Sequence, residues 1–179
     1  MPRSKDWSRV EKLIEEQKFE EARTLCGTIR TAAQAGGNNA EWVRASNAMS
    51  SLENLPNTLL AYGIPWGAAP GNHDFGTGGG TGTTTFYNEF FGTNRFAGRN
   101  YYGGNYGTTN NNNYQLFSAS GLDFIVVHLE YNAGAVSGYQ SVLDWADALL
   151  KAYPNRRAIV TSHWIVNTGN PATFSTQGQ

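Results

Sequence analysis

The chain has 179 residues, room for one medium domain or for a small domain with an appendage. Its 13 Lys/Arg and 14 Asp/Glu leave a formal net charge of -1, which makes no electrostatic case for a nucleic-acid or anionic-membrane partner. No apolar run is long enough to span a bilayer, residues 1–17 are charged throughout rather than signal-like, and the single Cys26 excludes an intrachain disulfide.

Charge is unevenly spread along the chain. Residues 1–45 hold eight of the 13 basic and seven of the 14 acidic side chains, and the remainder is rich in Gly, Asn, Thr and aromatics. Such a break predicts two segments of different architecture. In the first, Trp7, Val10 and Ile14, then Phe19, Ala22, Leu25, Ile29 and Ala33, recur at helical spacing. They predict a helical hairpin over residues 1–38, turning at Gln17-Lys18 and ending at Gly36-Gly37-Asn38-Asn39. Cys26 falls on its apolar face. Lys18-Phe19-Glu20-Glu21-Ala22 resembles a tetratricopeptide-type helix pair, so residues 1–38 are expected to offer a protein-contact surface.

The rest, residues 39–179, reads as a mixed α/β unit. A helix is expected from Ala40, with Trp42, Ala45, Met49 and Leu52 on one face, interrupted at Asn54-Leu55-Pro56-Asn57. Ile64–Ala69 reads as a short strand. Gly76–Thr85 is low-complexity and not a phosphate loop, because no Gly-Lys-Ser/Thr follows. Phe86–Tyr106 is expected to wrap the surface as loops with one short helix, and Asn110–Asn113 to form a hairpin or loop tip. Leu116–Ser118 and Phe124–Leu129 read as strands, the second fully buried. Ser141–Tyr153 reads as a helix, and Ala158–Ser162 as another buried strand ending at His163. Strand, helix, strand predicts a right-handed parallel crossover. The last fifteen residues carry no charge, which reads as a cut end.

The densest chemistry lies in Pro70-Gly71-Asn72-His73-Asp74, where an amide, an imidazole and a carboxylate follow one another. Asn72 offers a neutral oxygen to a hard metal, His73 moves a proton near neutral pH, and Asp74 can orient an imidazole. The alternative is a turn in which Asn72 and Asp74 cap backbone groups. His128 and Glu130 read as strand residues rather than ligands.

Gly71-Asn72-His73-Asp74 resembles the third sequence block of the calcineurin-like metallophosphoesterases. Asn39-Ala40-Glu41-Trp42, Gly63-Ile64-Pro65-Trp66, Tyr102-Gly103-Gly104 and Thr161-Ser162-His163-Trp164 extend that resemblance to the C-terminus. It implies an α/β (α+β) fold, part of a two-sheet sandwich flanked by helices and preceded here by the helical hairpin. It also implies two divalent metal ions of the Fe, Zn or Mn class and a small phosphoester substrate. Asn72 and His163 would be metal ligands, and His73 the catalytic proton donor steadied by Asp74. Members of that family are often exported, whereas this N-terminus carries no export signal and its compartment stays open.

Three family blocks are missing: Asp-x-His, Gly-Asp-x-x-Asp and Gly-His-x-His. No histidine precedes His73, the only earlier aspartate is Asp6, and neither histidine nor carboxylate follows His163. The chain is therefore expected to be a hydrolase fragment, inactive by itself, or a non-catalytic relic or interaction module. A truncated or fused reading frame would account for the seam.

Overall fold

A computed structural model describes residues 39–76, 82–131 and 139–175. The expected hairpin over residues 1–38, its Cys26 and the junction at Gly36-Gly37 lie outside these residues, as does the middle of the Gly/Thr-rich stretch.

Helix α1 (Asn39–Glu53) forms where the sequence places it and buries Trp42, Ala45 and Met49. It stops at Asn54, and a single turn, α2 (Leu55–Thr58), starts with Pro56 in its first turn, where a missing N–H costs nothing. Two short helices follow, α3 (Thr85–Phe91) and α4 (Thr93–Phe96), where one was expected. Their Tyr87, Phe91 and Phe96 join Trp42, Ala45, Met49, Trp66 and Tyr101 in one aromatic core. Fully burying such a side chain is worth about 1.5–3 kcal/mol.

Arg95 ties this core together. Its guanidinium donates to both carboxylate oxygens of Glu53, at 2.8 and 3.1 Å. It also donates to Ser46 Oγ, Ser46 O and Phe90 O, at 2.7, 2.9 and 3.0 Å. The same group lies over the Trp66 and Phe91 rings. Arg99 reaches Glu53 from the other side, at 3.3 Å.

Four strands form one open mixed sheet in the order β1 (Tyr102–Asn105), β2 (Asn113–Ala119), β3 (Leu122–His128), β4 (Arg157–Thr161). β1, β2 and β3 are antiparallel neighbours, and β4 pairs in parallel with β3 after the intervening helix α5 (Tyr139–Ala152). The β2–β3 turn is Ser120-Gly121, both at positive φ (51° and 76°), as a tight hairpin of this twist requires. Val142 and Ala146 of α5 pack with Ile125 and Val127 of β3 and with Leu129 just beyond it, on one face.

Four expectations are corrected. Ile64–Ala69 is not a strand; it crosses the other face of the sheet without ladder pairing. β1 was not anticipated, because Tyr-Gly-Gly-Asn has no apolar alternation. Its glycine is steric, since a Cβ on Gly103 would stand 2.1 Å from the Tyr114 ring. β3 is not buried on both faces: only Ile125 and Val127 are fully enclosed, and they alternate with half-buried neighbours. β4 is not a buried strand either. Ile159 and Val160 are 46% and 43% exposed although they point to opposite faces. The described residues contain this one sheet and no second one.

The Arg95 cluster predicts a large effect from a change that preserves charge. Arg95→Lys loses the forked contact to Glu53 and most of the carbonyl contacts, and should lower stability by about 2–4 kcal/mol. Chemical denaturation of the two proteins measures it.

Candidate functional site

The Pro70–Asp74 stretch lies over the carboxyl ends of β3 and β4, where open α/β sheets bind ligands. Its backbone turns through a single 3₁₀ turn, Asn72–Phe75. Two reciprocal bonds close the turn: Gly71 N–H donates to Asp74 Oδ2 (2.7 Å), and Asp74 N–H donates to Gly71 O (3.0 Å). The capping alternative for Asp74 is thus realised. Asn72 and Asp74 are half-buried, and His73 is exposed.

His163 follows β4 by two residues and meets this turn. A Cβ built on Gly71 would lie 2.9 Å from His163 Nδ1, so the imidazole occupies the space that a side chain at position 71 would need. Tyr131, just past β3, stands edge-on to His163 with ring centroids 5.6 Å apart. Its N–H donates to Pro70 O at 2.9 Å. The structure therefore brings Gly71, Asp74, Tyr131 and His163 together, with Asn72 and His73 carried on the same turn. Burial raises the Asp74 carboxyl above its ordinary value; the Gly71 amide, then His163 and His73, pull it down in part.

Beneath the turn, a polar row crosses the sheet. Asn113 of β2, His128 of β3 and Thr161 of β4 are register partners on one face. His128 Nδ1 and Thr161 Oγ1 are 2.7 Å apart. Burial lowers the His128 pKa to about 4, so this imidazole is neutral at ordinary pH. Glu130, two residues past the same strand, spends its carboxylate on carboxamides: Asn111 Nδ2 and Asn112 Nδ2 each donate to one oxygen at 2.7 Å. It acts as a structural acceptor in this arrangement. Sequence reasoning passed over Tyr131, which only its position directly after Glu130 could have flagged.

As a metal centre the cluster is short of anions. Asn72 offers a carboxamide and His163 an imidazole, neither of which is an anionic ligand, and the Asp74 carboxyl is half-buried and taken by the Gly71 amide. Among the described residues no three His, Cys, Asp or Glu side chains converge as a ligand set. These residues do not fit a two-metal centre by themselves, since hard divalent ions require several anionic oxygens.

Two measurements check this geometry. Gly71 has φ -85°, ordinary for any residue, so Gly71→Ala acts through space alone. Its methyl should displace the exposed His163 ring while costing less than about 1 kcal/mol of stability, since a surface side chain moves readily. Loss of the Tyr131–His163 ring contact in an NMR spectrum would report it. For His128, the folded pKa lies below the unfolded value near 6.5. The unfolded chain therefore takes up a proton first as pH falls from 6.5 to about 4, and stability drops across that window. His128→Gln should flatten this drop, measured as denaturation midpoints from pH 7 to pH 4.

Comparison with known proteins gives little further help. No family model matches the chain, and no solved structure matches it. Over 131 residues the chain is 30% identical to the uncharacterized protein YvnB of Bacillus subtilis (strain 168), which takes in 73% of this chain. The matched region is 9% of that protein, so the chain spans a small fraction of the length of the curated relative it matches.

Proposed function

We propose that this chain is part of a metal-dependent phosphoester hydrolase of the calcineurin-like kind, supplying one side of its active site. The observation that carries the reading is the contact of His163 with Gly71. It joins the Asn72-His73-Asp74 turn to the end of β4 across about ninety residues of sequence. In this reading His73, exposed on the turn, gives a proton to the leaving oxygen of a small phosphoester. Asp74 sits close enough to act on both His73 and His163 through its field. Asn72 and His163 would be the ligands this chain contributes, and the anionic ligands would have to come from polypeptide outside the described residues. The metal, when bound, would supply the activated water and charge neutralisation.

The four-stranded sheet would then be one layer of a two-sheet sandwich flanked by helices. Support comes from β4, a parallel strand left half-exposed on both faces although parallel strands are ordinarily covered. A non-catalytic module, with contacts through residues 1–38, is the second reading. Nothing in the charge balance supports a nucleic-acid partner, and no described helix is long and apolar enough to cross a membrane.

General acid catalysis contributes roughly 10² to 10⁴ in rate, less than the metal-generated nucleophile. The 179-residue chain should therefore show no metal-dependent hydrolysis of p-nitrophenyl phosphate above background, and should retain no tightly bound divalent ion after dialysis against chelator. A longer polypeptide carrying the three missing blocks should be active. In it, His73→Ala should lower kcat more than metal occupancy, and Asn72→Ala or His163→Ala should lower occupancy. Turnover by the unmodified chain overturns the partial-site reading, and inactivity of the longer polypeptide favours the non-catalytic one.

A further inference from the structure

The segment entering the candidate turn, residues 64–71, crosses the sheet face without a strand partner, yet Trp66, Pro70 and Gly71 are buried. A buried carbonyl without a ladder must find donors elsewhere. The Ala68 carbonyl, two residues before Pro70, finds two: Tyr87 Oη–H donates to it at 2.6 Å and Asn113 Nδ2–H at 2.7 Å. Tyr87 is 2% exposed and Asn113 fully buried. They come from different elements, α3 and β2, so the carbonyl is gripped from two directions.

Each donor is itself held. Asn113 Oδ1 accepts from Gln115 Nε2 at 2.7 Å, which fixes the orientation of its carboxamide, and Asn113 Nδ2 also donates to Asn110 O at 2.8 Å. The Gln115 carboxamide lies directly under Gly67, where a Cβ would stand 2.3 Å from Oε1, so a side chain at position 67 would have to displace Gln115. Burial, then the field of Asp74, holds the Tyr87 phenol well above its ordinary range, so it stays protonated as a donor. Beyond Ala68, only Pro70 O, held by Tyr131 N–H, intervenes before the Gly71–His163 contact.

We propose that Tyr87 and Asn113 are positioning residues of the candidate site: their shared grip on the Ala68 carbonyl sets where the Gly71–Asp74 turn stands against His163. This rests on the proposed reading only in calling that turn the active-site turn; the grip itself is independent of any reaction. Asn113 thus serves the site through its hydrogen bonds to main-chain carbonyls.

The test reads geometry rather than turnover. Only three histidines are present, so the His163 ring signals of the whole 179-residue chain can be assigned by NMR. In Tyr87→Phe, which removes one hydroxyl, the Gly71–His163 and Tyr131–His163 cross-peaks should weaken and the Asp74 amide should shift. Asn113→Asp keeps the acceptor for Gln115 and removes both N–H donors, so it should abolish the same cross-peaks. If that variant does not fold, Tyr87→Phe alone decides. Val142→Ala, in the separate core between α5 and β3, serves as a control: it should lower the melting temperature and leave those signals in place. Unchanged Gly71–His163 and Tyr131–His163 contacts in Tyr87→Phe overturn the proposal, whatever happens to its melting temperature. Hydrolysis by a longer polypeptide succeeds or fails independently, so the two readings fall separately.

Discussion

The arrangement depends on one constraint: residues 64–71, with Trp66, Pro70 and Gly71 buried, cross a sheet face and pair with no described strand. Segments of this kind are rare, because an unmatched buried carbonyl costs about 1–3 kcal/mol. Here two side chains and one main-chain amide supply the donors. Asn113 and Tyr87 satisfy Ala68, and the Tyr131 amide satisfies Pro70. Much of the sequence that looked like polar filler, above all the asparagines from 110 to 113, is interior hydrogen-bonding apparatus. Asn110, Asn112 and Asn113 are each no more than 2% exposed.

The two faces of the sheet solve different problems. Toward α5, Tyr114 and Leu116 join Ile125 and Val127 in an apolar contact that depends only on shape. On the other face, Asn113, Gln115, His128 and Thr161 make a polar floor beneath the Pro70–Asp74 turn. A polar floor is energetically risky, since a half-satisfied network is worse than an apolar one. Gln115 Oε1 is one such unmatched buried atom. What the arrangement gains is directionality: hydrogen bonds fix the turn in a way that methyl groups do not.

Local patterning made the crossover unit and α1 legible. Phe124–Leu129, Ser141–Tyr153 and Ala158–Ser162 have the apolar runs and stop signals that strands and helices share across proteins. Ile64–Ala69 was misread because an apolar run bounded by glycine looks the same whether its carbonyls meet a neighbouring strand or a carboxamide. β1 was invisible because its glycines answer to the Tyr114 ring, a tertiary fact. The exposure of β4 escaped notice for the converse reason: Ala-Ile-Val reads as buried, and burial depends on what lies beside it. Of the candidate site, Asn72, His73, Asp74 and His163 were named from motif resemblance, and the structure sets Gly71 and His163 side by side. The supporting asparagines carried no such signature, because their role exists only once three distant segments have met.

The bare rim of the sheet has a consequence for handling the chain. Beyond Arg157 at its start, β4 carries no charge and no proline, two of the devices that keep exposed strands from recruiting one another. Ile159 and Val160 offer half-exposed apolar side chains on opposite faces of this edge, a composition that favours β-pairing with an extended segment. A lysine introduced at Ile159 or Val160 would act as a gatekeeper against such pairing.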